Sequence, residues 1–211
     1  MSHYVSKFID SISDGSASTP FNTVNGGYSR GHGQVQGQTQ VLLLRQSPFD
    51  PNLILIHPSG YPVEAPPLYT AISSQERVSV YRGAINPANL MGVGSRKSIS
   101  LYGHGGCTIA VKTDHLSGDF KLKYPPGGKG SLKWKTDSMS FSSSSSLKLV
   151  DGSGQKIARL KKHSSEKRLE IYVPCDEHFL NVVILSGLAV RLGAKKNDRD
   201  ALEVVQAMSG S

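Results

Sequence analysis

Cysteine is scarce in this chain: among 211 residues there are only Cys107 and Cys175. A disulfide-stapled scaffold is thereby excluded, and a core of this size stands without staples or metal. The two thiols read as small, buried or half-buried residues. A long apolar run is missing too. The greasiest stretch, FLNVVILSGLAV from Phe179 to Val190, has twelve residues, whereas a bilayer-spanning helix takes about twenty. Asp176 and Glu177 precede it, and Arg191, Lys195 and Lys196 follow, so lengthening it only adds charge. The N-terminal MSHYVSKFIDSISDGSAS lacks the apolar core of a secretory leader. Its second residue is Ser where myristoylation needs Gly, and AMSGS is no prenylation box. The expected location is therefore intracellular: cytoplasmic, at most peripheral at a membrane surface, and not secreted.

Catalytic signals are equally thin. His and Cys show no metal-ligand spacing. Cys175 and His178 are neighbours in sequence, but a nucleophile needs an activating base and an oxyanion site. GVGSRKS, Gly92 to Ser98, departs from a phosphate loop because Arg96 stands where Gly must precede Lys97. It reads as a turn between strands, as does GHGG, Gly103 to Gly106. The expectation is a protein with no enzyme activity, catalytic residue, metal or cofactor.

What the chain has in excess is positive charge. The formal net charge is +8, and the stretch from Lys112 to Tyr172 holds thirteen basic residues against six acidic ones. Such a segment suits lipid head groups, nucleic acid or an acidic protein, or simply keeps a surface solvated.

Texture divides the chain. Residues 1–39 are rich in Ser, Gly, Gln and Asn, with few apolar residues and no period, and are expected to form a disordered arm. From Gln40 on, short apolar runs alternate with turn residues: QVLLLRQ, NLILIHPSG, PLYTAIS, RVSVYRG, KSISLYG and CTIAVKT. In DFKLKY, Phe120, Leu122 and Tyr124 alternate with Lys121 and Lys123. In SLKWKT, Leu132 and Trp134 alternate with Lys133 and Lys135. PPGGKG between them predicts a hairpin. LKLV and KIARL predict a second one around DGSG, and KRLEIYVP a further strand. Regular short strands with Gly-rich turns point to an all-β sandwich or barrel. KNDRDALEVVQAMSGS, 197–211, predicts a separate short helix and tail.

The run from Phe179 is too long for a typical strand and reads as a helix over 177–192. Asp176 sits where a cap and the helix dipole favour it, cations sit at the other end, and Gly193 is a natural stop. A helix apolar on nearly all sides must be enclosed. With so many strands available, the solution is a wall of strands wrapped around it. Asn181 and Ser186 then need partners inside or a place at the open end.

The hairpin LKLVDGSGQKIARLKK, the strand RLEIYV, a short acidic loop and then FLNVVILSGLAVRL resemble the end of the tubby C-terminal-like superfamily. That group includes tubby proteins, phospholipid scramblases, plant LURP-one-related proteins and small fungal proteins of unknown role. The fungal members are nearest in texture, notably at SGLAV. The resemblance covers about Val41 to Lys195. It implies a mainly β protein, a closed antiparallel barrel of about twelve strands around a central C-terminal helix, here over residues 40–196. Two scramblase features are absent: VPCDEHF has too few carboxylates for a calcium cage, and there is no cysteine-rich lipidation run. Tubby proteins bind phosphoinositides through basic surface residues, so the resemblance makes anionic membrane lipids the expected partner.

The candidate lipid-binding residues are Lys121, Lys123, Lys133 and Lys135 on one hairpin face, extended by Lys161 and Lys162. The competing reading is a solvated hairpin with its aromatics in the core. Nucleic-acid binding is disfavoured, because the aromatics fall on the opposite parity to the lysines and cannot stack on bases. Two other functions stay open: a protein-interaction domain that makes its contacts through the terminal segments, and scramblase-like activity, which requires the last helix to insert into a membrane.

Overall fold

Twelve antiparallel strands form a closed barrel in a computed structural model. The structure describes residues 39–209 except 75, 103–105, 115–116, 124–129, 137–145 and 164–165, with side chains up to 194 except that of 163. The strands are β1 (Gln40–Gln46), β2 (Leu53–Pro58), β3 (Tyr69–Ser73), β4 (Arg77–Arg82), β5 (Leu90–Ser95) and β6 (Ser98–Leu101). They continue with β7 (Cys107–Thr113), β8 (Phe120–Lys123), β9 (Leu132–Thr136), β10 (Ser146–Val150), β11 (Lys156–His163) and β12 (Glu166–Ile171). Each strand pairs with its sequence neighbours, and β1 pairs with β12 to close the ring, Leu42 lying opposite Leu169. Closure leaves no free sheet edge. The helix α1, Glu177–Ser209, follows.

A barrel of about eight strands is just filled by its own side chains. Twelve leave a wider interior, and α1 occupies it. Of the segment Glu177–Ala194, 78% is buried. Ile184 and Val190 are each 1% exposed. By length and composition this segment could cross a membrane, yet here the wall of strands encloses it. The entry is capped as its sequence predicts: Asp176 Oδ1 accepts from Phe179 N at 2.7 Å, and Asp176 O from Leu180 N at 2.9 Å. Glu177 pairs with Arg82 at the end of β4. Ser186, fully buried, accepts a hydrogen bond from Trp134 Nε1 at 2.9 Å and donates to Val183 O at 3.3 Å. Asn181 Oδ1 is buried with no hydrogen-bond partner among the described residues.

The sequence reading differs from the structure at three glycines. Gly92 and Gly94, read as a turn, lie in β5, and only Arg96 and Lys97 link it to β6. A Cβ on Gly92 would stand 2.5 Å from Ser100 O and 2.8 Å from Leu185 Cδ2. One on Gly94 would stand 2.9 Å from Ala189 Cβ. These glycines remove side chains where the helix comes closest to the wall. Gly193 does not stop the helix either, so the expected break before a separate helix at 197–211 is absent. Arg96 and Phe120 pack around it, with Arg96 Cγ 3.2 Å from where its Cβ would be, and α1 runs on to Ser209. The predicted arm 1–39 lies, apart from Thr39, outside the described residues, as do Tyr124, most of PPGGKG and most of GHGG. The DGSG turn is as read: Asp151 Oδ1 accepts from the N–H of Ser153 and of Gln155, each at 2.9 Å, and Gly154 takes φ 86°.

One stretch of outer wall is covered. Leu43 and His57 point outward by parity but are buried. Residues 59–67 fold back over them, with His57 Nε2 3.0 Å from Ala65 O and Arg45 Nη1 donating to Tyr61 O at 3.0 Å.

The Gly94→Ala and Gly92→Ala variants should each lose about 1–3 kcal/mol of stability through overpacking. Gly152→Ala, whose Cβ would meet nothing nearer than 3.5 Å, should lose about 0.5 kcal/mol or less. Urea denaturation of the three variants measures the contrast; equal losses would refute the close-approach role.

Candidate functional site

The strand pairs β7 to β11 carry the basic segment on the outside of the barrel. Phe120 and Leu122 on β8, and Leu132 and Trp134 on β9, are buried. Period-two geometry therefore turns Lys121, Lys123, Lys133 and Lys135 outward. Lys121 and Lys123 are exposed, Lys133 and Lys135 half-buried. Register then joins these residues to others. Lys121 lies opposite Lys112 on β7 and opposite Lys133 on β9. Lys135 lies opposite Lys148 on β10, and Lys148 opposite Arg159 on β11. Two cross-strand rows of cations result: Lys112–Lys121–Lys133 and Lys135–Lys148–Arg159.

Lys112, Lys148 and Arg159 were missed in the sequence, because a lone lysine between two leucines in LKLV says nothing about its cross-strand neighbour. Two expected residues are engaged elsewhere. Lys133 Nζ pairs with Asp119 Oδ2 at 2.7 Å, and Lys161 Nζ with Glu170 Oε1 at 2.8 Å. Lys162 has the opposite parity to Lys161 and lies on the inward-facing row at the barrel's end, opposite Lys167. Among the described residues, no carboxylate pairs with Lys121, Lys123, Lys135 or Lys148.

The wall ends at a neutralising cluster. Glu170, opposite Arg159, accepts from Tyr172 Oη at 2.7 Å while pairing with Lys161. Lys156 Nζ sits 4.4 Å from the Tyr172 ring centroid. Burial pushes the Glu170 carboxyl up, but hydrogen bonds from Lys161 and Tyr172 and the charges of Lys161 and Arg159 bring it below its usual value. Burial, then the hydrogen bond to Glu170 and its charge, raise the Tyr172 phenol.

Beside the wall, a shallow polar groove of about 220 Å³ crosses the outside of β4–β6, lined by Arg77, Val93, Ser95, Ser98, Ser100 and Tyr102. It adjoins the cations through Ser98, which lies opposite Ala110, itself opposite Lys123. Burial raises the Cys107 thiol, the reverse of what an activated nucleophile requires. Among the described residues no group of three His, Cys, Asp or Glu could hold a metal.

No protein-family model and no curated protein matches this chain. Among solved structures, it is similar to an X-ray structure of a protein from Arabidopsis thaliana. The two share 15% identity over 71% of this chain and 91% of the other, with a TM-score of 0.32. A likeness that loose carries no argument about site or activity.

A carboxyl whose folded pKa is depressed contributes stability above its unfolded pKa and loses it as pH falls through the folded value. Glu170→Gln should therefore destabilise the protein at pH 7, and the difference from the parent should shrink below about pH 4. Denaturant titrations at pH 7 and pH 3 measure it; a difference that does not change with pH would show that the carboxylate's charge is not involved.

Proposed function

We propose that this chain is a non-enzymatic, tubby-like binding domain whose outer wall over β7–β11 docks on anionic phospholipid head groups, phosphoinositides above all. The observation that carries the proposal is the pair of cation rows. Like charges placed directly opposite each other across strands disfavour the folded sheet, and a polyanionic surface relieves that repulsion. Each cation close to an anionic membrane contributes about 1 kcal/mol. The groove beside Lys123 adds serine hydroxyls and Arg77 within the same surface. The tubby-like reading is supported by the architecture, a closed twelve-strand barrel around a C-terminal helix. On this reading the protein acts in the cytoplasm and, when bound, at the membrane surface. Scramblase-like activity would require α1 to leave the barrel, and its buried length speaks against that.

Co-sedimentation with phosphatidylcholine vesicles, with and without a phosphoinositide, tests the proposal. The full chain should pellet only with the phosphoinositide, and less so as salt rises. Lys121→Glu combined with Lys123→Glu, Lys135→Glu and Lys148→Glu should abolish pelleting while leaving the fold intact. Equal pelleting by both proteins would reject the wall as the docking surface.

A further inference from the structure

Arg191 stands on α1 just before the helix leaves the barrel, at the end opposite its entry. Arg191 is half-buried, and its Nη1 is fully buried with no hydrogen-bond partner among the described residues. Burial lowers its pKa, yet an arginine keeps its proton in proteins. A buried polar donor is ordinarily paired or hydrogen-bonded, and among the described residues none partners this nitrogen.

The surroundings hold two more cations, of which Lys167 already has a partner. Gly187 and Leu188, one turn earlier, line a narrow apolar space together with Leu44, Leu160 and Leu169. Helical spacing puts Arg191 on that same face. On the wall, the next inward-facing row towards this end runs Leu44, Lys167, Lys162. Leu44 lies opposite Lys167, and Lys167 opposite Lys162. The two lysines thus have inward parity at the mouth, Lys167 half-buried and Lys162 exposed. Their placement repeats, inside the rim, the like-charge opposition seen on the outer wall.

We infer that the mouth through which α1 exits is an oxyanion site in which Arg191, with Lys162 on the rim beside it, takes a phosphate group. Arg191 and Lys162 together favour a doubly charged phosphate monoester over a singly charged carboxylate. The planar guanidinium offers two parallel donors to neighbouring phosphate oxygens. Behind Arg191 the space between helix and wall is apolar and too narrow to hold water. The phosphate therefore enters, and whatever carries it stays outside. The site is separate from the outer wall, because Lys162 and Lys167 have the opposite parity to Lys161 and Arg159. The phosphate monoester can belong to a lipid head group or to a soluble molecule.

Isothermal titration of the full chain with inorganic phosphate, against chloride at equal ionic strength, tests this. The parent should bind phosphate, and Arg191→Met should weaken binding by about tenfold or more. Lys162→Gln should weaken it less. Without phosphate, Arg191→Met should melt no lower than the parent, because an apolar side chain replaces a half-buried charge whose Nη1 has no partner among the described residues. Lys156→Gln, at the other end of β11 and outside both surfaces, should leave phosphate affinity unchanged. If Arg191→Met does not fold, Arg191→Lys, which keeps the charge but loses the paired donors, must show the weakening. Vesicles carrying phosphatidylinositol 4-phosphate identify the source. Binding that depends on Arg191 assigns the site to a lipid head group; binding that ignores Arg191, beside Arg191-dependent binding of free phosphate, assigns it to a soluble phosphate. No phosphate binding by the parent, or equal affinity in the folded Arg191 variant, overturns the inference.

Discussion

The mutual enclosure of α1 and its barrel is the constraint on which the rest depends. An almost uniformly apolar helix is unstable in water, and a twelve-stranded ring is too wide to fill with its own side chains. Each solves the other's problem. Val182, Val183, Leu185 and Ala189 are fully buried on the helix, as are Leu42, Ile56, Ile99 and Ile109 on the strands. Burying a side chain of the size of Val, Leu or Ile is worth about 1.5–3 kcal/mol, so the shared core dominates the favourable terms. One polar contact inside it joins strand to helix: Trp134 donates to Ser186, and the Trp134 ring lies against Gly187, its Cζ2 3.2 Å from where a Cβ would be. A tryptophan that large fits only because the helix offers a glycine beside it.

The enclosure also explains why β5 looks unlike a strand. Gly92 and Gly94 are poor strand formers, and LMGVGS carries no alternating apolar face. On the inside of the barrel those glycines let Leu185 and Ala189 come against the backbone. The outside of the same strands is lined by small residues, which leaves the polar groove at Val93, Ser95 and Ser100. The cost in strand propensity is offset by close packing that needs the whole barrel to exist.

With the apolar demands met inside, the outer face of β7–β11 is free to hold charge. Alternation made that division readable: Lys121, Lys123, Lys133 and Lys135 stand between residues that had to be buried. What alternation could not show was which lysines become neighbours. Lys112, Lys148 and Arg159 join the rows through pairing across hairpins, and Lys133 and Lys161 are drawn to Asp119 and Glu170. Lys162 differs from Lys161 by one position, and in a strand one position is a change of face. It therefore belongs to the barrel's mouth with Lys167 rather than to the outer wall.

By itself the sequence determined the elements that rest on local periodicity and local capping. These are the alternating strands, the DGSG turn, the Asp176 cap and an apolar helix that had to be enclosed. All of them follow from interactions within a few residues. The tertiary structure alone decided the β1–β12 closure, the strand character of Gly92–Ser95, the passage of the helix through Gly193 and the partners of each cation. Those outcomes depend on which distant backbone lies alongside, and a glycine or a lysine carries no record of that in its own neighbourhood of the chain.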